Sequence, residues 1–392
     1  MPRVKLGDVA REYKATVKDN AGFPIVGLEH LSPGEITLDC WDTDVETTFT
    51  KSFKKGHMLF GRRRAYLKKA ALAPFDGVCS GDIIVIEAIP GKINPELLPF
   101  IIQNDLLFDY AVGNSSGSLS PRVKWESLKE YDFELPEISK QAELVDLLAA
   151  AYNTRKAYQQ LIIACDELVK SQFIELFGDP ESNPKEWSRC CLKDVMSAPA
   201  SNGFFAKPAD YSDDGNAGII CVGDVVNRKY SNIEHLRRAN ADDKQFNKFR
   251  VKYGDMLFCR SSLVKEGIAK ASIIPQDCPD DLLFECHVIR IPLDLDKVIP
   301  EFMQAFSVTD FFRGQMMDKS KTATMTTIGQ KDVITGVIYV PPMDLQKRFV
   351  AFSQQLDKSK YVYCQLTHFL DNLIKYELQS LIMEECICSP KM

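Results

Sequence analysis

Between Ser139 and Phe177, apolar and small positions recur at alternating steps of three and four. They are Leu144, Leu147, Ala151, Thr154, Tyr158, Leu161, Cys165 and Leu168. This spacing is a heptad seam and predicts one long helix made to wrap around another. The seam returns 205 positions later as Phe349, Phe352, Leu356, Ser359, Tyr363, Leu366, Leu370 and Leu373. The markers before it shift by the same amount: Leu135-Pro136 becomes Val340-Pro341, and Gln141 becomes Gln346. Two helices in one register imply a duplicated unit whose helices are expected to pair with each other, antiparallel, which would set the two domains at opposite ends. Phe177-Gly178-Asp179-Pro180 carries the Gly and Pro that stop a helix.

Outside the helices the pattern is short and mixed. Pro24–Leu28, Met58–Phe60, Asp82–Glu87 and Tyr131–Leu135 read as strands, and Pro95–Asn104 as a helix. Gly113–Pro121 reads as a polar loop. Leu6-x-Asp8-Val9 recurs as Leu192-x-Asp194-Val195, and Gly56-x-Met58-Leu59-Phe60-x-Arg62 as Gly254-x-Met256-Leu257-Phe258-x-Arg260. The expected fold is therefore mixed α/β (α+β), with a pseudo-two-fold internal repeat. Residues 1–136 form a first domain and 137–178 its long helix. Residues 179–341 form a second domain and 342–386 its helix. A repeat this long is a duplicated domain, not a solenoid.

At 392 residues with 45% hydrophobic content, the chain is long enough for two or three cores. It has no run of about 18 apolar residues to cross a membrane, and its first residues lack an apolar signal region. Twelve cysteines, including Cys190-Cys191 and Cys386-x-Cys388, show no zinc spacing and read as reduced thiols. The five histidines are dispersed, so no metal site is expected. The net charge of −6 argues against a protein that merely coats nucleic acid. Yet the stretch from Lys51 to Lys69 holds eight basic residues and no acid.

That basic run supplies the candidate DNA contacts Lys51, Lys54, Lys55, Arg62, Arg63, Arg64 and Lys68, with Tyr66 available to pack on sugar or base. In the second copy the equivalents are Arg260, Ser261, Ser262 and Lys265, with Lys248 and Arg250 before them and Arg237 and Arg238 as a further cluster. The hydroxyl-rich stretches Ser115–Ser120 and Lys319–Thr327 could donate hydrogen bonds to phosphates. Each of these also has a bland alternative as solvated surface or mobile loop.

The order domain, helix, domain, helix resembles the specificity (S) subunit of type I restriction-modification enzymes. So do the phrases Leu59-Phe60-Gly61-Arg62-Arg63-Arg64-Ala65-Tyr66, Phe75-Asp76-Gly77-Val78-Cys79-Ser80-Gly81, Gly254-Asp255-Met256-Leu257-Phe258 and Phe173-Ile174-Glu175-Leu176-Phe177-Gly178-Asp179-Pro180. His57 departs from the usual Gly-Asp, which suggests that this position serves a turn. The resemblance implies two target-recognition domains reading the halves of a bipartite site in double-stranded DNA. It implies paired helices that dock two methyltransferase (M) subunits, restriction (R) subunits in the full complex, and a cytoplasmic location. S-adenosylmethionine, ATP and Mg would belong to those partners and not to this chain.

The residues fit a non-catalytic reading. The nearest approach to an adenine-methyltransferase motif, Val340-Pro341-Pro342-Met343, lacks both the acid or amide and the aromatic. No phosphate-binding Gly-rich loop ending in Lys-Ser/Thr occurs. Two other classes remain: a stand-alone methyltransferase or nuclease with an unfamiliar site, and a coiled-coil adaptor without a DNA role.

Overall fold

The computed structural model describes residues 2–205 and 207–381. The Cys386-x-Cys388 pair and the expected end of the second helix lie outside the described residues. The chain divides into two units: residues 1–161 with 362–392, and residues 162–361. Each unit thus combines one domain with part of both long helices.

In the first unit a four-stranded antiparallel sheet runs in the order Ala10–Glu12, Ile83–Ala88, Met58–Gly61, Ala70–Leu72. The second unit repeats it as Ser201–Asn202, Val288–Pro292, Asp255–Cys259, Ala271–Ile273. The two central strands of each sheet are almost wholly buried, which explains why they read as continuous apolar runs. A two-stranded closure also recurs: Arg3–Lys5 with Asp132–Glu134, and Arg189–Cys191 with Val337–Tyr339. A three-stranded sheet completes each domain, with Ile25–Val26 parallel to Gly77–Cys79 in one, and Ala217–Ile220 parallel to Leu282–Phe284 in the other. The expected helix after Pro95 is shorter, at Leu98–Ile102, and a second helix follows at Asp105–Gly113, capped by the Asn104 side chain on the Leu106 N–H. The sequence reading missed that second helix because Gly113-Asn114 ends it inside a run of loop-like composition.

The His57 departure has a local explanation. In the second copy, Asp255 accepts a hydrogen bond from the Lys252 N–H at 3.0 Å. In the first, His57 Nδ1 accepts one from the Lys54 N–H at 3.2 Å. Both side chains close the turn that leads into the central strand, after Gly56 and Gly254 at positive φ.

The long helices span Ile138–Phe177 and Met343–Ser380. Each is entered through the same buried clamp. Gln141 donates to the Pro136 carbonyl and accepts from the Asn94 N–H. Gln346 donates to the Pro341 carbonyl and accepts from the Ile299 N–H. Gly178 at φ +77 ends the first helix.

The helices pair within both units, and the pairing is antiparallel in each. In the first unit Arg155 bonds Asp371 at 3.0 Å, while Tyr158 stacks on Tyr363 with ring centroids 5.7 Å apart. In the second, Lys360 bonds Asp166 at 2.5 Å and Phe173 meets Phe349 at 5.5 Å. Numbers rise on one helix as they fall on the other. The two ion pairs are counterparts under the 205-residue offset, and the tyrosine pair is its own counterpart.

The phase of the seam needs correction. Ala151 and Cys165 are buried as expected, and Leu144, Tyr158, Leu356, Tyr363 and Leu370 are half-buried, with Phe349 fully buried. But Leu147, Leu161, Leu168 and Leu366 are exposed, and Phe352 and Leu373 are only half-buried. The inward residues are their neighbours one place on: Leu148, Arg155, Ile162 and Val169, then Ser353, Lys360, Thr367 and Ile374. The steps therefore run four then three. Arg155 and Lys360 occupy seam positions with their stems inward and their charges paired. That polar occupancy disguised the phase.

Each domain core also contains the end of the helix from the other repeat. Leu378 and Leu381 belong to the first core, and the Leu381 carbonyl accepts from the Glu134 N–H at 2.6 Å. Phe173 and Phe177 belong to the second, where they pack on Phe302 and Phe349. The domains also grip their own helices. Glu35 accepts from Tyr152 at 2.6 Å and Lys156 at 3.0 Å, whereas Lys229 donates to Ser353 and Asp357.

Candidate nucleic-acid interface

The candidate basic residues of the first domain do not form one continuous face. Lys51 Nζ donates to the Ile83 carbonyl at 2.8 Å and lies 3.6 Å from Glu12. Lys68 is paired with Asp105 at 2.6 Å. Lys54 and Lys55 are exposed on the turn before the central strand, where the Lys55 N–H donates to Asp76. The run is acid-free in sequence, but acids distant in the chain neutralise part of it in space.

Arg62, Arg63, Arg64 and Tyr66 stay together on the loop that leaves the central strand Met58–Gly61. Arg64 adopts φ 54 and is exposed, as is Tyr66. The hydroxyl-rich loop lies alongside: the Arg64 N–H donates to the Pro121 carbonyl, and the Val123 N–H to the Arg62 carbonyl at 3.0 Å. Arg63 reaches Ser120 Oγ at 3.1 Å through Nη2. Beneath them sits Asp82, which the sequence reading passed over together with Arg122. Arg122 bonds Asp82 through Nε at 2.7 Å and Nη2 at 3.3 Å, and Arg63 Nη1 lies 3.6 Å away. The hydrogen bond from Arg122 holds the Asp82 carboxyl below its ordinary range, despite partial burial.

The second domain repeats the backbone of this site. The Arg260 N–H donates to the His287 carbonyl, as Arg62 does to Asp82, and the Ile328 N–H donates to the Arg260 carbonyl. Ser261–Ser262 pairs with Thr326–Thr327, so the second hydroxyl-rich loop becomes a small sheet with Lys321–Thr322. Arg260 donates to the Cys286 carbonyl at 3.2 Å, and Lys265 is exposed.

The other second-domain candidates form a separate patch over aromatic rings. The Arg237 guanidinium lies 3.9 Å from the Tyr211 centroid, Lys248 5.1 Å from Phe249, and Arg250 5.8 Å from Phe246. Such stacking restrains basic groups without neutralising them. Arg238 is instead tied to Asp281 at 2.7 Å, and Arg250 lies 3.9 Å from Asp280. Among the described residues no group of acids, histidines and cysteines could hold a metal.

With this geometry in place, a family model for the type I restriction modification DNA specificity domain matches residues 3–164. The matched residues cover the first of the two repeated domains and its long helix as far as residue 164. Over 290 residues the chain is 22% identical to the type I restriction enzyme EcoKI specificity subunit of Escherichia coli (strain K12), covering 69% of this chain and 61% of that one. Over 184 residues it is 26% identical to the EcoDI specificity subunit of Escherichia coli, covering 43% and 40%. The matched regions span less than two thirds of these relatives. Two solved structures share the fold. A chain from a type I restriction-modification complex aligns with TM-score 0.56 at 17% identity, over 97% of both chains. The type I S subunit from M. genitalium aligns with TM-score 0.58 at 11% identity, over 98% of this chain and 96% of that one.

Proposed function

We propose that this chain is the DNA-recognition subunit of a type I restriction-modification complex, reading a bipartite site in double-stranded DNA with one half-site per domain. The observation that carries this reading is that the second unit repeats the fold of the domain matched by the specificity-domain model. Two sheets of the same strand order each place a loop after the central strand against a hydroxyl-rich loop. Basic and hydroxyl side chains on those loops suit phosphate and base-edge contacts. Exposed apolar residues on the long helices, such as Leu147, Leu161, Leu168 and Phe369, suit docking of two M subunits. R subunits would join the assembled complex. Methyl transfer, cleavage and the cofactors S-adenosylmethionine, ATP and Mg belong to those partners, and the complex works in the cytoplasm. No helix among the described residues is long and apolar enough to cross a membrane.

The test is reconstitution. The single chain should bind duplex DNA with a salt-dependent affinity and transfer no methyl groups. With M subunits it should direct methylation to one sequence. Methyl transfer by the purified chain alone would refute the division of labour.

A further inference from the structure

Three topologically equivalent positions converge in each domain, on the same backbone but with different chemistry. In the first domain they are Arg63, Asp82 and Arg122. Position 63 follows the central strand, 82 precedes its neighbour in the sheet, and 122 ends the hydroxyl-rich loop. In the second domain the same places hold Ser261, His287 and Thr327. The equivalence is fixed by hydrogen bonds of the adjoining backbone: Arg62 to Asp82 matches Arg260 to His287, and Val123 to Arg62 matches Ile328 to Arg260. The cross-loop pairings also agree, Arg63 with Arg122 and Ser261 with Thr327.

The side chains engage one another in both sets. Asp82 holds Arg122 in a two-point contact at 2.7 and 3.3 Å and lies 3.6 Å from Arg63. His287 Nδ1 meets Ser261 Oγ at 3.2 Å. Arg122, His287 and Thr327 are exposed, while Arg63, Asp82 and Ser261 are half-buried. A constant backbone that presents exchangeable, mutually braced polar groups is suited to reading different sequences with one fold. A carboxylate that grips the Nε side of a guanidinium fixes its plane and leaves Nη1 for a further acceptor.

We infer that these three positions are the base-reading head of each domain, that Arg122 and Arg63 select guanine in the first half-site with Asp82 as their positioning residue, and that Ser261, His287 and Thr327 read the second half-site without an arginine–guanine pair. This rests on the proposed DNA-reading function. Guanine offers O6 and N7 to an arginine in the major groove. Hydroxyl and imidazole groups donate or accept singly and give a looser code. An acid on a DNA-facing surface opposes binding through its charge, so its place between two arginines is accounted for by orientation.

The test is selection from a randomised duplex library by the full-length chain at fixed salt, followed by affinity measurements on the selected and an unselected duplex. The wild type should enrich a bipartite pattern with guanine in one half. Arg122→Lys keeps the charge and the stem but loses the fork. It should lower affinity for the selected duplex about tenfold and leave the salt dependence unchanged. Asp82→Asn should lose the same preference while its affinity for the unselected duplex holds or rises. His287→Ala should alter only the other half of the pattern. Guanine preference surviving in Arg122→Lys, or Asp82→Asn tightening both duplexes alike, would overturn the assignment. So would His287→Ala changing the same bases as Arg122→Lys. Enrichment of no sequence by the wild type would instead contradict the DNA reading itself, and the assignment with it.

Discussion

The imidazole of His57 and the carboxylate of Asp255 perform one task, accepting a backbone N–H at the turn before a central strand. Their titration differs in consequence. Burial pushes the His57 imidazole below its ordinary value, with Glu87 opposing and Lys54 adding to the effect. The folded first domain therefore favours the neutral ring. That stability is fully present above about pH 6.5 and is lost as pH falls below it toward the folded value. His57→Asn keeps an acceptor without a titrating group. Thermal unfolding from pH 7 to pH 5 should show a smaller loss of stability in this variant than in the wild type. The buried glutamine clamps are a second residue-scale test. Gln141→Ala leaves the Asn94 N–H and the Pro136 carbonyl without their partner. It should cost about 2–3 kcal/mol, measured by denaturant unfolding. Arg62 and Arg63 are both half-buried. Arg63→Ala should still cost less than about 1 kcal/mol of stability, because its ion pair with Asp82 is partly solvated.

At the scale of elements, the sequence exposed the repeat, the central strands and both long helices. It did so because those features rest on local period and on matched markers such as Pro136-Gln141 and Pro341-Gln346. It misjudged the seam, because a three-four and a four-three alternation share every second position. The shared positions, from Leu144 and Ala151 to Tyr158 and Cys165, could not separate the two. Only the fold shows Arg155 and Lys360 turned toward their aspartates. A direct comparison follows. Leu148 is 1% exposed and its neighbour Leu147 is 42% exposed. Leu148→Ala should cost about 2–4 kcal/mol, and Leu147→Ala less than about 1 kcal/mol. Comparable losses in the two variants would restore the other phase. The interface was less legible than the helices for a similar reason. Asp82 and Arg122 lie far from the basic run in sequence, and only sheet pairing brings them to it.

At the scale of the whole molecule, the reciprocal exchange of helix ends bears on the two halves. Residues 1–178 contain a domain and helix but lack Ile374, Leu378 and Leu381 of the first core. At the 205-residue offset a second copy of that half would supply Val169, Phe173 and Leu176 instead, all apolar. Arg155 would pair with Asp166 of the other copy, twice. Residues 1–178 are therefore expected to form an isologous homodimer, looser than the intact chain, because Ala151 and Cys165 would stand where leucines complete the seam. Sedimentation at micromolar concentration checks this, and a well-folded monomer would contradict it. The second half should dimerise less well. It would place Leu378 where Phe173 now packs among Phe302, Phe306 and Phe349.

The central claim is that this chain chooses the DNA sequence on which its partners act. The most direct measurement is the map of methylated adenines in DNA modified by the complex reconstituted with M subunits. One bipartite motif with two unlike halves is expected, and Arg122→Lys should relax the guanine-containing half alone. Methylation spread over unrelated sequences, or a motif indifferent to substitutions in both domains, would contradict the account.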